Sequence, residues 1–288
     1  MFGMIFSFGV TAVLFILDTI FYVVGFLIVL GDTRLGIPVW TGIVLLLLSI
    51  IGDFWLFWAV DKLYRQTLRR LDTDFNGFIE EQNRFFKRAT GKQKFIIGLN
   101  IVNGYIAYRN FGEAERLLMS LNQKYYSNMH SQGKMKSITC RMMLYLHSRN
   151  YAAFDSSLAD MRAMLDSGGI FANPKVRKHY ETLIDISIIE MSFYTRTPEQ
   201  LVTTDKEITL RFKEIVECYW EENKSVMQDD YGRSSFYYTF GTIYAVLGDR
   251  ERAENYLKEV AAQYLTYPFV NKSRQYLQSG DTNILMNA

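Results

Sequence analysis

The chain has 288 residues, 49% of them hydrophobic and 22% charged, with a formal net charge of +2. Residues 95–288 carry 22 basic and 22 acidic side chains. With no basic face to track phosphates, nucleic acid is not an expected partner. The two cysteines, Cys140 and Cys218, sit in neither metal nor redox spacing, which fits a reducing compartment.

Residues 4–30 are apolar apart from Ser7, Thr11, Asp18, Thr19 and Tyr22, and residues 39–60 apart from Thr41, Ser49 and Asp53. Each run is long enough to cross the ~30 Å hydrocarbon core as a helix. Gly31, Asp32, Arg34, Gly36 and Pro38 make a short polar turn between them. The expectation is a transmembrane helical hairpin over residues 1–62. No basic segment precedes the first run, and no small-residue cleavage site precedes Asp32, so it reads as a retained span. Lys62, Arg65, Arg69 and Arg70 follow the second run, which predicts an integral inner- or plasma-membrane protein with both termini cytoplasmic. Asp18 and Asp53 lie within the runs, and neither run contains Lys, Arg or His. Intramembrane carboxylates need a partner, which points to docking on an integral membrane protein or self-association; a neutral acid and proton transport are the other readings.

Residues 63–94 read as a basic juxtamembrane linker, because residues 61–94 hold nine basic against five acidic side chains. They make membrane lipid an expected partner. Within this linker, Asp72, Asp74, Asn76, Gly77, Phe78 and Glu80 follow a spacing that resembles an EF-hand calcium loop. That resemblance implies side-chain ligands from Asp72, Asp74 and Asn76, a carbonyl from Phe78, and help from Glu80 through water. Asn83 stands where the family has a bidentate Glu. The alternative is a helix-breaking turn in which Asp74 or Asn76 caps a new helix. Apart from this calcium site, no cofactor is expected.

Residues 95–288 show apolar positions at i, i+3, i+4 and i+7, with breaks near residues 110, 132, 150, 170, 196, 230, 249 and 268. The segments between suit stacked helical hairpins, so the fold class is all-α. Tyr237, Phe240, Gly241, Tyr244, Gly248, Asp249, Ala253, Leu257 and Val260 have a spacing that resembles a tetratricopeptide repeat. A fainter pair uses Tyr105, Ala114, Leu118 and Leu121, with Arg109 where Gly is expected. A third uses Tyr145, Asn150, Tyr151 and Leu158, with Phe154 at the small-residue position. Residues 267–278 read as a terminal capping helix, and the last ten residues as disordered.

The resemblance implies a cytoplasmic α-solenoid whose concave face carries Ile96, Leu99, Asn103 and Ile106 in the first pair. Lys136, Thr139, Met143 and Leu146 follow in the second, and Ser235, Tyr238, Thr242 and Ala245 in the clear repeat. Such a lining suits an amphipathic helix or extended hydrophobic peptide. Alternatively, these residues only pack a tighter superhelix. His130, His147 and His179 have no ligand spacing, and no nucleophile, metalloprotease or phosphate-loop motif is present. An enzyme is therefore not expected. The expected function is a membrane-anchored scaffold or adaptor that binds a protein or peptide partner. The alternative is an accessory subunit of a membrane transport or secretion complex, docked through its aspartates.

Overall fold

The structure, a computed structural model, describes residues 41, 43–48, 50–51, 71–225 and 230–287. The chain divides into two compact units, Met1–Leu68 and Arg69–Ala288. All described elements are helices, and among the described residues there is no strand.

In the first unit the described positions, residues 41, 43–48, 50 and 51, are helical, and Ile43, Leu47 and Ile51 are exposed. Crossing a membrane takes about 20 consecutive apolar residues. Among the described residues no helix is long and apolar enough to cross a membrane. This finding overturns the expectation of an integral membrane protein with both termini cytoplasmic. The remainder of the two apolar runs, with Asp18 and Asp53, lies outside the described residues.

The second unit begins with α1 (Phe75–Arg88), α2 (Gly91–Ala107) and α3 (Phe111–Tyr125). Next come α4 (Ser131–His147), α5 (Tyr151–Asp166), α6 (Pro174–Tyr194), the short α7 (Pro198–Val202) and α8 (Lys206–Asn223). It ends with α9 (Asp230–Val246), α10 (Arg250–Ala261), α11 (Pro268–Ser279) and the short α12 (Thr282–Met286). The starts follow local chemistry. Asp74, Asn150, Asn173 and Asp249 cap helices with their side-chain oxygens. Pro174, Pro198 and Pro268 stand in first helical turns, where a missing N–H costs nothing.

Helices α2 and α3 pack as one hairpin, as do α4 and α5, α6 and α8, and α9 and α10. Three buried clusters join them in series: one across α2–α4, one across α4–α6, and one from α6 to the end of the unit. Three of the hairpin turns share a hydrogen-bond pattern. The Asn110 N–H donates to the Tyr105 carbonyl (2.8 Å), Asn150 to Tyr145 (2.9 Å) and Asp249 to Tyr244 (3.0 Å). This closure places one residue in the left-handed region: Arg109 at φ 60°, Arg149 at φ 60° and Gly248 at φ 77°.

The α9–α10 crossing depends on Gly241. A Cβ there would stand 2.5 Å from Leu257 Cγ, and Leu257 is fully buried. Gly241→Ala is therefore expected to force the hairpin apart and cost about 2 kcal/mol. Denaturant titration reads this directly, and a midpoint equal to the parent's would contradict the close crossing.

The unit also closes on itself. The Tyr267 hydroxyl donates to Asp72 Oδ1 (2.8 Å) and the Thr266 N–H to the Asp72 carbonyl (3.2 Å). Tyr108 donates to the Leu71 carbonyl (2.8 Å) and stacks on Phe75. Residues 71–75 thus meet residues 266–267. Helix α12 is folded back as well, with Leu285 and Met286 buried, which overturns the expected disorder of the last residues.

Candidate binding cavity

Curving the hairpins until residues 72 and 267 meet leaves a partly open cavity of about 300 Å³ between them. Its apolar wall includes Ile106 of α2, Met143 and Leu146 of α4, Leu183 of α6, and Phe212 and Val216 of α8. Aromatic side chains of α6, α8 and α9 add Tyr194, Tyr219, Phe236 and Tyr238. One side is filled by the chain itself, through Leu285, Met286 and Asn287. The Tyr238 hydroxyl donates to the Leu285 carbonyl (2.8 Å), and Arg149 Nη2 to the Met286 carbonyl (2.8 Å). Lys272 Nζ of α11 donates to the Asn287 carbonyl.

Charged groups reach the same space. Arg109, His147, Arg149 and Glu190 all line it. Burial, with the Arg109 charge beside it, holds the His147 imidazole down at about 4. Burial pushes the Glu190 carboxyl up to about 7. Burial also raises the phenols of Tyr194 and Tyr238. Lys272 is lowered to about 8 by burial and by the neighbouring Arg109 and Arg149 charges. At neutral pH the cavity therefore contains a neutral imidazole, a partly protonated carboxyl and a concentration of positive charge.

Of the residues that the sequence places on a concave face, Met143, Ser235 and Tyr238 come together here, along with Ile106 and Leu146. The others sit elsewhere. Leu99 and Thr242 are buried, and the Thr242 hydroxyl donates to the Tyr238 carbonyl (2.9 Å). Ile96 packs against the α2–α4 cluster, and Asn103 Oδ1 accepts from the Cys140 thiol (3.1 Å). Lys136 is exposed, Ala245 is buried, and the Thr139 hydroxyl turns back to the Met135 carbonyl (3.0 Å). Arg109, Arg149, Glu190 and Lys272 were not legible as site residues. The signal in hand was Arg109 standing where the repeat pattern has Gly.

The calcium-loop resemblance takes another form. Asp74 Oδ1 accepts the Gly77 N–H (2.9 Å) and caps α1. Asn76, Phe78 and Glu80 are then wound into the helix, with Phe78 buried and Glu80 paired to Arg84. Asp72 is buried against Tyr267. A helix cannot wrap these oxygens around one ion, because its side chains radiate outward. Among the described residues no group of three or more His, Cys, Asp or Glu could hold a metal.

No protein-family model matches the chain, and neither a curated protein nor a solved structure does. The described residues define a helical protein of serial hairpins around a partly open cavity.

Proposed function

We propose that the hairpins are tetratricopeptide-like repeats and that the unit is a scaffold binding a peptide segment of a protein partner in the cavity. The observation that carries this reading is the chain's own segment 282–287. A peptide already occupies one side of the cavity, with its apolar pair Leu285 and Met286 inside and its carbonyls held by Tyr238, Arg149 and Lys272. Main-chain bonds to fixed donors supply affinity, and apolar recesses beside them supply selectivity. The alternative of a docked accessory subunit depends on Asp18 and Asp53, which lie outside the described residues.

The test uses the full chain with Leu285→Ser and Met286→Ser, which loosens the resident segment. A fluorescein-labelled peptide of residues 282–287 is titrated by anisotropy. A tethered segment acts at an effective concentration of about millimolar, so the loosened chain is expected to bind the peptide at least about tenfold more tightly than the parent. Adding Met143→Glu to the loosened chain should abolish binding. Binding that is indifferent to Met143→Glu, or absent from the loosened chain, ends this reading.

A further inference from the structure

Arg109 and Arg149 hold equivalent places in two hairpin turns, each with a left-handed backbone at φ 60°. The third turn of the same pattern has Gly248 at φ 77°. Glycine adopts this region without penalty, whereas an L side chain is strained by contact between its Cβ and the following carbonyl. Local preference therefore argues for glycine at both places, and a retained strain of this kind points toward function. Both side chains line the cavity.

The electrostatics are also unbalanced. Several arginines elsewhere in the unit are matched with carboxylates, such as Arg141 with Asp160, Arg177 with Asp166 and Glu181, and Arg196 with Asp205, while Arg274 bonds only the neutral oxygens of Ala261, Gln263 and Asn271. Among the described residues Arg109 has no ion pair and no side-chain hydrogen bond, and Arg149 reaches only the neutral Met286 carbonyl. Lys272 joins them, bonded to the neutral Asn287 carbonyl. Burial is the main cause of the depressed values of His147 and Lys272, and the Arg109 charge, joined at Lys272 by that of Arg149, lowers them further. Glu190 lines the cavity too, but it forms no ion pair with either arginine.

We propose that Arg109 and Arg149, with Lys272, form a carboxylate-binding end of the cavity, and that the partner peptide places an aspartate or glutamate there next to apolar residues. This rests on the peptide reading above. The resident segment shows the register: its apolar pair fills the recess, the Met286 carbonyl accepts from Arg149 and the Asn287 carbonyl from Lys272. A guanidinium that now bonds a neutral carbonyl gains further from a carboxylate, because both partners are then charged and two parallel N–H···O bonds can form. A second copy of the resident sequence is thus a weak occupant, and an acidic analogue a strong one.

The test uses the loosened full chain and two labelled, C-terminally amidated peptides of residues 282–287, one native and one with Asn287→Asp. The acidic peptide is expected to bind about tenfold more tightly at low salt. Arg109→Gly with Arg149→Gly should erase that advantage while raising Tm by about 2–4 °C, because strain and like-charge repulsion are relieved. If the two peptides bind alike, or the advantage survives the double glycine variant, the carboxylate site is refuted and the peptide reading stands. If neither peptide binds, both fail. A fall in Tm accompanying the loss of binding would assign the arginines to structure and overturn the proposal. So would decanoate binding that needs the arginines when no peptide binds, since the site would then take a fatty carboxylate.

Discussion

Tyr267→Ala is expected to destabilise the protein by about 5 kcal/mol, the largest single-residue effect in the unit. Truncating a fully buried aromatic ring costs about 3–5 kcal/mol, because the cavity collapses only in part. The Tyr267 ring is fully buried and packs on Tyr108 (4.8 Å between centroids), Tyr231 (4.6 Å) and Phe269 (5.4 Å). Its hydroxyl also donates to the buried Asp72 carboxyl, and a buried acceptor that loses a donor costs about 1–3 kcal/mol more. Tyr267→Phe keeps the ring and removes only the donor, so it should lose about 2 kcal/mol. Urea titrations of the parent and both variants separate the two terms. The closure assigned to residues 72 and 267 would be wrong if Tyr267→Ala stayed within about 1 kcal/mol of the parent.

The second large effect is a pH dependence that is concealed in the parent. Glu190 has an ordinary value of 4.5, and burial pushes it to about 7 in the folded protein. The unfolded chain loses this proton first. Glu190 therefore contributes stability fully present below pH 4.5 and lost as pH rises to about 7. His147 runs in the opposite sense, with an ordinary value of 6.5 and a folded value of about 4. Its contribution is fully present above pH 6.5 and is lost as pH falls to about 4. At 1.36 kcal/mol per pH unit each amounts to about 3 kcal/mol, and between pH 4.5 and 6.5 the two nearly cancel. The groups facing them are Arg109 beside His147 and Tyr194 beside Glu190, with Arg149 and Lys272 further along the cavity. Glu190→Gln removes one arm. Its stability relative to the parent should climb by about 3 kcal/mol from pH 4.5 to 7. His147→Leu should gain relative to the parent as pH falls from 6.5 to 4. Taking differences from the parent removes the titrations common to all chains. Parallel stability curves for the parent and Glu190→Gln would show that the Glu190 carboxyl is solvated like a surface group.

The helices were legible because their causes are local. The expected breaks near residues 110, 150, 249 and 268 lie at the turn or helix starts of α3, α5, α10 and α11. The requirement for small size at Gly241 was legible too, and the structure gives it a partner in Leu257. The site was only partly legible. Repeat offsets place a residue on a helix face, yet Thr242 and Tyr238, four residues apart, end with different roles. Thr242 bonds its own helix, while Tyr238 holds the Leu285 carbonyl. Asp72 and Asp74 were legible as a helix start or an ion loop; Asp74 caps the helix through the nearby Gly77 N–H, whereas Asp72 pairs with Tyr267, 195 residues away.

By itself the sequence determined that the described residues between 95 and 278 are mainly helical, where most of their turns fall, and that α9 and α10 cross closely. Periodicity, capping oxygens and a missing Cβ act within a few residues or across one hairpin. The tertiary structure alone decided that the hairpins close into a ring, that the chain's own residues 285–287 fill one side of the cavity, and that Arg109, Arg149 and Lys272 converge. That convergence sums the crossing angles of successive hairpins and ends in contacts between residues nearly 200 apart in the chain. No local pattern encodes such a sum. Arg109, which stands where the repeat pattern has Gly, therefore meets Arg149 at the cavity only because the ring is closed.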